Sequence, residues 1–312
     1  MAVESRPATS PSAYRVLWQD ARPNRVHEKR TRYTHHTMTR LTISIILSVL
    51  LPTIAYAWGG DGHQIVCLIA EDRLTPAAHS LLGSTVNISD AEIASWADQV
   101  RRERQETGPW HYVDIPFDAK SFDEKRDGKN GNNVIDKIND CQATLKDLKA
   151  SKNDRVEALK FLVHFVGDEH QPLHCAERNG DKGGNGRLVF FLDRPRATNL
   201  HSVWDTAILL TRKGTTRNAA YADTLNARIK PEQAAEWEKG TPADWANESH
   251  KVAVEIVYRD IPADGPPPKL DKPYVDAGGL VIEQQLQRGG VRLAMILNNV
   301  FKESPMTKPA AQ

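Results

Sequence analysis

Residues 156–174 read VEALKFLVHFVGDEHQPLH. Apolar side chains recur at helical spacing from Val156 to Asp168, which predicts a buried helix. Pro172 should end or kink it, because proline lacks the backbone N–H and its ring clashes with the preceding turn. His164 and Asp168 are four residues apart, roughly 40° around a helix axis, so an imidazole and a carboxylate share one face. Beyond Pro172, His174 turns toward a different position. NLHSVWD repeats the spacing with His201 and Asp205. A single pair of this kind is usually a solvated polar face; two of them, with His174 between, predict divalent-metal chemistry.

Two more polar clusters lie upstream. ASWADQVR ends a helical pattern with Asp98 and Arg101 one turn apart, and WHYVDIP places His111, Tyr112 and Asp114 in a short extended run. Alone, Asp98 with Arg101 reads as a surface ion pair and Tyr112 as a packing residue. Their company gives them a second meaning.

The N-terminal region has a different character. Residues 38–57, MTRLTISIILSVLLPTIAYA, have a basic start, an apolar run and Ala-Tyr-Ala at the end, which is the pattern of a secretory signal peptide. The run is too short, and Pro52 too awkward, for a comfortable membrane span. Residues 1–37 precede a signal that has its own methionine, and they are basic, polar and aperiodic. They read as a mis-called upstream extension, from a start codon placed too early, disordered and outside the fold. The expectation is therefore a secreted or periplasmic protein cut after Ala57, with a single domain over residues 58–312.

Such a cut makes Trp58 the N-terminus, followed by GGDGH. A free α-amine with a pKa near 8 can bind a metal while its own carbonyl oxygen closes a five-membered chelate. Glycines around it let His63 reach the same ion. The candidate ligands are then Trp58, His63, Asp98, His111, His164, Asp168, His174, His201 and Asp205. Nine such residues suffice for three Zn2+ with one carboxylate shared. Imidazole and carboxylate without thiolate favour open, catalytic zinc sites over a closed structural one. His79, His170 and His250 fit no cluster and read as surface or packing residues.

Composition bounds the rest. The chain has 41 basic and 40 acidic residues, and with residues 1–57 removed these become 33 and 37, a formal charge of −4. A non-specific binder of duplex backbone is usually basic, so attraction for phosphate here has to be local. Seven tryptophans in the full sequence and repeated helical periods point to a mostly α fold with a sizeable core. Further helices are expected over 246–258 and 278–301, with a small β-hairpin near Arg187–Leu192 after Gly183-Gly184. The proline-rich segment 262–273 reads as a stiff surface loop. Cys67, Cys141 and Cys175 allow at most one bridge; Cys141 with Cys175 is the preferred pair, since Cys67 sits in an apolar helical pattern.

WGGDGH, SWAD, HYVD, HFVGDEHQPLH, DKGGN, NLHSVWD and WANES, in that order from Trp58 to near Phe301, resemble the zinc-dependent single-strand nucleases and 3'-nucleotidases secreted by fungi, plants and bacteria. The resemblance implies the helical fold shared with zinc-dependent phospholipase C. It also implies three zinc ions. One would be held by Asp98, His111, His164 and Asp168; one by the amine and carbonyl of Trp58 with His63 and a shared Asp168; one by His174, His201 and Asp205. The implied reaction is attack of a zinc-bound hydroxide on phosphodiesters of single-stranded DNA and RNA, and on 3'-nucleotides, leaving 5'-phosphate and 3'-hydroxyl ends. Arg101 falls where the family has a basic residue touching phosphate, with Asp98 and Asp168 beside it in the catalytic set. Tyr112, Asp114 and Asn185 fall around a nucleobase; family members often have Phe at the Tyr112 position. A monomer without stable membrane association is expected.

Two rival functions share parts of this pattern. Zinc-dependent phospholipase C resembles these nucleases in fold and also has an N-terminal Trp ligand. Against it stand the spacing from Trp58 to His63, the Asp in HSVWD where that relative has Glu, and the DKGGN and WANES segments. A non-catalytic zinc-binding exported protein would need none of Arg101, Asp114 or Asn185.

Overall fold

The helical period over Val156–Asp168 is realised as the centre of the molecule. The protein is described by a computed structural model over residues 58–83 and 86–302, all within the unit Pro52–Gln312. The signal peptide and extension expected over residues 1–57 lie outside the described residues. The helices that position the site are α1 (Gly60–Glu71), α2 (Trp96–Glu103), α3 (Val134–Lys146), α4 (Lys152–Glu169), α5 (Asn218–Ala227), α6 (Pro242–Val252) and α7 (Lys272–Lys302).

Helix α4 starts at Ser151, whose side chain accepts the N–H of Asp154, and every residue from Phe161 to Glu169 is buried. A helix enclosed on all sides is a core element, packed here against its neighbours α1, α2, α3 and α7. It stops at Glu169, and the chain continues as a 3-10 turn, Pro172–Cys175, as Pro172 requires.

Helix α7 crosses α1 at close range through Gly289 and Gly290. A Cβ on Gly290 would lie 2.4 Å from Cγ2 of Ile69. Glycine inside a helix costs about 1 kcal/mol relative to alanine, and the burial of Val66 and Ile69 against α7 offsets it.

A buried polar network ties α6 and α7 to the end of α4. Gln285 Nε2 donates to the His170 carbonyl (2.9 Å), and Ser249 Oγ donates to the Glu169 carbonyl (2.6 Å). Arg292 donates to His170 Nε2 at 2.9 Å and to both carboxylate oxygens of Glu248 at 2.9 and 2.8 Å. His170 and His250 are thus buried packing residues, whereas His79 is exposed.

Three expectations need correction. The last helix begins at Lys272, six residues before Gly278. The hairpin is part of a three-stranded sheet: β1 (Leu188–Phe191) pairs antiparallel with β2 (Thr198–Asn199) and parallel with β3 (Lys269–Leu270). The third strand comes from the proline-rich segment read as a loop; two residues are too few to show a period. Finally, Cys141 and Cys175 are not bridged. All three cysteines are buried and free, and the Cys175 thiol donates to the Glu169 carbonyl at 3.3 Å. Among the described residues no helix is long and apolar enough to cross a membrane.

Candidate metal centre

Each ligand candidate is delivered by a different local device. His63 sits on α1, and its ring lies against Gly167 of α4, where a Cβ would come within 2.6 Å of Nδ1. Asp98 is on α2, which follows directly after the turn Ala91–Ala94. His111 closes the 3-10 turn Gln105–His111, and His174 lies in the turn Pro172–Cys175. His201 is in the short helix Leu200–Ser202, and Asp205 in the π-turn Val203–Ala207 that extends it. Such π insertions locally re-aim side chains and recur at functional sites. Trp58 is fully buried against Gly62, and the Gly59 N–H donates to the Asp205 carbonyl at 3.0 Å.

Four histidines converge on Asp168. Its carboxylate lies 3.4 Å from His63 Nε2, 2.8 Å from His111 Nδ1, 3.2 Å from His164 Nε2 and 3.6 Å from His174 Nδ1. Ligand atoms fall into three groups: His63, His164 and Asp168; Asp98, His111 and His164; His174, His201 and Asp205. The first two overlap, and the rings of His63 and His164 stack at 3.8 Å. In the third, His174 Nε2 and His201 Nε2 are 3.1 Å apart, and His201 Nε2 is 3.3 Å from Asp205.

Backbone carbonyls orient three of the imidazoles. The Nδ1 atoms of His164, His174 and His201 lie 2.8, 2.7 and 2.6 Å from the carbonyls of Ala94, His111 and Gly183. In a neutral imidazole whose Nδ1–H donates to a carbonyl, Nε2 keeps its lone pair, the tautomer that binds a metal. Gly183 and Gly184 of DKGGN, at φ of 59° and 80°, bring that carbonyl to the ring; a Cβ on Gly183 would lie 2.3 Å from the Leu173 carbonyl.

Buried polar atoms without hydrogen-bond partners are rare and costly, yet they cluster here: both nitrogens of His63, Nε2 of His111 and His164, and one oxygen each of Asp98, Asp168 and Asp205. Burial, aided by the neighbouring His164, lowers His63 to about 4, and burial with His174 lowers His201 to about 3; His111 and His174 are also lowered by burial. These four are neutral at pH 7, as a ligand must be. Burial opposes a charge on His164 too, but Asp168 and Asp98 outweigh it and raise this histidine to about 9. Asp205 is pushed well up by burial. A protein that collects neutral imidazoles, buried carboxylates and orphaned lone pairs in one place fits divalent cations of the zinc type, by donor chemistry and by the need to satisfy those atoms.

A cleft of about 490 Å3 opens beside this cluster, lined by Arg101, His111, Tyr112, Asp114, His174, Asn185 and His201 among others. Arg101 Nη2 is 3.4 Å from Asp98, and Asp98 is buried, so their pairing belongs to the site and is more than a surface ion pair. Tyr112, Asp114 and Asn185 are each half-buried at the cleft, and Asn185 Nδ2 donates to the Lys182 carbonyl at 3.0 Å. Two further residues join the site. Gln171 donates to Asp205, and Lys129 donates to Asp114 with its ammonium 5.1 Å from the Tyr112 ring. Gln171 lies inside the metal-bearing stretch and could have been found there; Lys129 joins the cleft only through the fold.

The chain is similar in sequence to known nucleases. The family model described as S1/P1 Nuclease matches residues 58–302. Endonuclease 2 of Arabidopsis thaliana is 32% identical over 286 residues, covering 84% of this chain and 96% of that protein. Nuclease P1 of Penicillium citrinum is 32% identical over 269 residues (78% and 97%), and nuclease S1 of Aspergillus oryzae 29% over 290 residues (85% and 99%).

Proposed function

The chain belongs to the S1/P1 nuclease family, and from that premise we propose that this nuclease is an exported, monomeric zinc phosphodiesterase. Its substrates on this proposal are single-stranded DNA and RNA and 3'-nucleotides, and its products carry 5'-phosphate and 3'-hydroxyl ends. The observation that carries the proposal is a set of three buried His/Asp groups, two of them sharing His164, with four histidines within 3.6 Å of the Asp168 carboxylate, at the wall of a cleft that also holds Arg101 and Tyr112.

We assign one zinc to Asp98, His111, His164 and Asp168, a second to Trp58, His63 and Asp168, and a third to His174, His201 and Asp205. When bound, the metal supplies Lewis-acid activation of water and neutralisation of phosphate charge. The chain's own groups do the rest. Asp98 holds Arg101 by its 3.4 Å contact, and the guanidinium neutralises charge on the equatorial phosphate oxygens as the bond to the leaving 3'-oxygen breaks. Tyr112 offers a ring face for a base, and Asp114 and Asn185 offer polar edges. A base has to leave the duplex stack to reach that ring, which favours unpaired strands. Stacking of this kind is worth on the order of 1–3 kcal/mol per base and tolerates any sequence.

The test is cleavage of a single-stranded oligonucleotide by protein beginning at Trp58, with and without chelator, followed by analysis of the product ends. Chelator-sensitive cutting to 5'-phosphates is expected. No cutting by zinc-loaded protein would overturn the proposal, and phospholipid substrates would then be assayed.

A further inference from the structure

Tyr112, Asp114 and Lys129 form a cluster at the rim of the cleft. Lys129 donates to the Asp114 carboxylate and holds its ammonium 5.1 Å from the centre of the Tyr112 ring. The turn that carries it is unusual: Lys129, Asn130 and Gly131 take left-handed φ of 49°, 57° and 79°. Gly131 N–H and Asn133 Nδ2 both donate to the Gly128 carbonyl, at 3.0 and 2.6 Å, and Val134 N–H donates to the Tyr112 carbonyl at 3.2 Å. Two consecutive non-glycine residues persist in that region only where surrounding bonds over-determine the turn. The turn is therefore fastened to the backbone of Tyr112, and the position of Lys129 beside Asp114 is built in.

Resting on the nuclease proposal above, we infer that Lys129 is a specificity-determining residue of the base pocket, and that with Asp114 it selects guanine. The ammonium stands over the ring face on which a base would stack. A stacking base displaces it sideways onto the base's own edge, which the flexible four-carbon stem of lysine permits while the pairing with Asp114 is kept. The couple then offers a carboxylate acceptor next to a cationic donor. Guanine carries two adjacent N–H donors, N1 and N2, for the carboxylate and the acceptor O6 for the ammonium on one edge, three hydrogen bonds in all. Uracil, with one donor between two acceptors, and adenine and cytosine, with one amino donor beside an acceptor ring nitrogen, each give the carboxylate a single donor.

The experiment compares kcat/KM of the zinc-loaded enzyme for 3'-GMP, 3'-AMP, 3'-UMP and 3'-CMP with that of Lys129→Asn and Lys129→Arg. Asparagine tolerates the left-handed backbone, and arginine keeps the cation. Wild type should favour 3'-GMP over 3'-AMP about tenfold. Lys129→Asn should bring the ratio to within about threefold of one, chiefly through KM for 3'-GMP, and Lys129→Arg should retain the preference. Equal ratios in wild type and Lys129→Asn, or no guanine preference in wild type, would overturn the inference and leave Lys129 as a surface ion-pair partner. If the wild type cuts neither these nucleotides nor an oligonucleotide, the nuclease proposal falls with it; cutting without base discrimination sinks the role of Lys129 alone.

Discussion

Gly167 lies directly beneath the ring of His63: a methyl group there would stand 2.6 Å from Nδ1 and 3.1 Å from Cε1. Alanine is the better helix former by about 1 kcal/mol, so Gly167→Ala should not unfold α4. It should push His63 away from Asp168, lowering metal content and cutting activity by about tenfold or more. Metal analysis and oligonucleotide cleavage on the same sample check this. Full activity with full metal would show that His63 moves aside without loss.

Asp168 stands within 3.6 Å of four histidines, so its carboxylate charge is shared among them. Asp168→Asn keeps the shape and removes the charge. Activity should drop more than about a hundredfold, and more than one zinc per chain should be lost. A variant with three zincs and normal rates would rule out a bridging role.

Metal affinity should rise with pH. Without metal, His164 is raised to about 9 by Asp168 and Asp98, so it keeps a proton at pH 7 that a metal has to displace; burial pushes the Asp205 carboxyl in the same direction. Each proton released steepens affinity by about tenfold per pH unit below the pKa of its group. Competition with a chromophoric chelator at pH 6, 7 and 8 measures the slope. A flat profile would mean that His164 holds no proton in the metal-free protein.

Protein beginning at Trp58 should outperform the same protein with one residue added before it, by about tenfold or more, because the addition converts the amine into an amide. Zinc content should differ by one ion per chain. Identical activity and content would remove Trp58 from the centre.

Gly290→Ala should destabilise the fold without touching the site. Its Cβ would sit 2.4 Å from Ile69 Cγ2, forcing α7 away from α1 at a cost of about 1–3 kcal/mol. That corresponds to a fall in Tm of roughly 3–10 °C. An unchanged Tm would mean that the two helices separate freely.

The parts of this centre that obey local geometry were legible in the sequence. His164 with Asp168 and His201 with Asp205 are one helical turn apart, and Pro172 fixes where α4 must stop before His174. Gathering Asp98 and His111 into the same cluster depended on resemblance, since no local period links them to α4. Lys129 was invisible: it meets Asp114 from a turn fifteen residues away. The two-residue strand Lys269–Leu270 and the Arg292–His170 contact were hidden for the same reason, being defined by partners distant in the chain. The expected Cys141–Cys175 bridge is not made: both thiols are buried and free, Cys175 donating to the Glu169 carbonyl, and no local pattern in the sequence tells which cysteines meet.

The network that joins Arg292, Glu248, Gln285 and Ser249 to His170 and Glu169 also ties the candidate metal centre to the C-terminal end of the chain. The proposed ligands run from Trp58 to Asp205, but the turn leading from Asp168 to His174 is held by side chains that belong to the last two long helices. The turn that carries His174 is thus fully fastened only with α7 docked, so removal of the C-terminal helix should loosen ligand positions far from it in the chain.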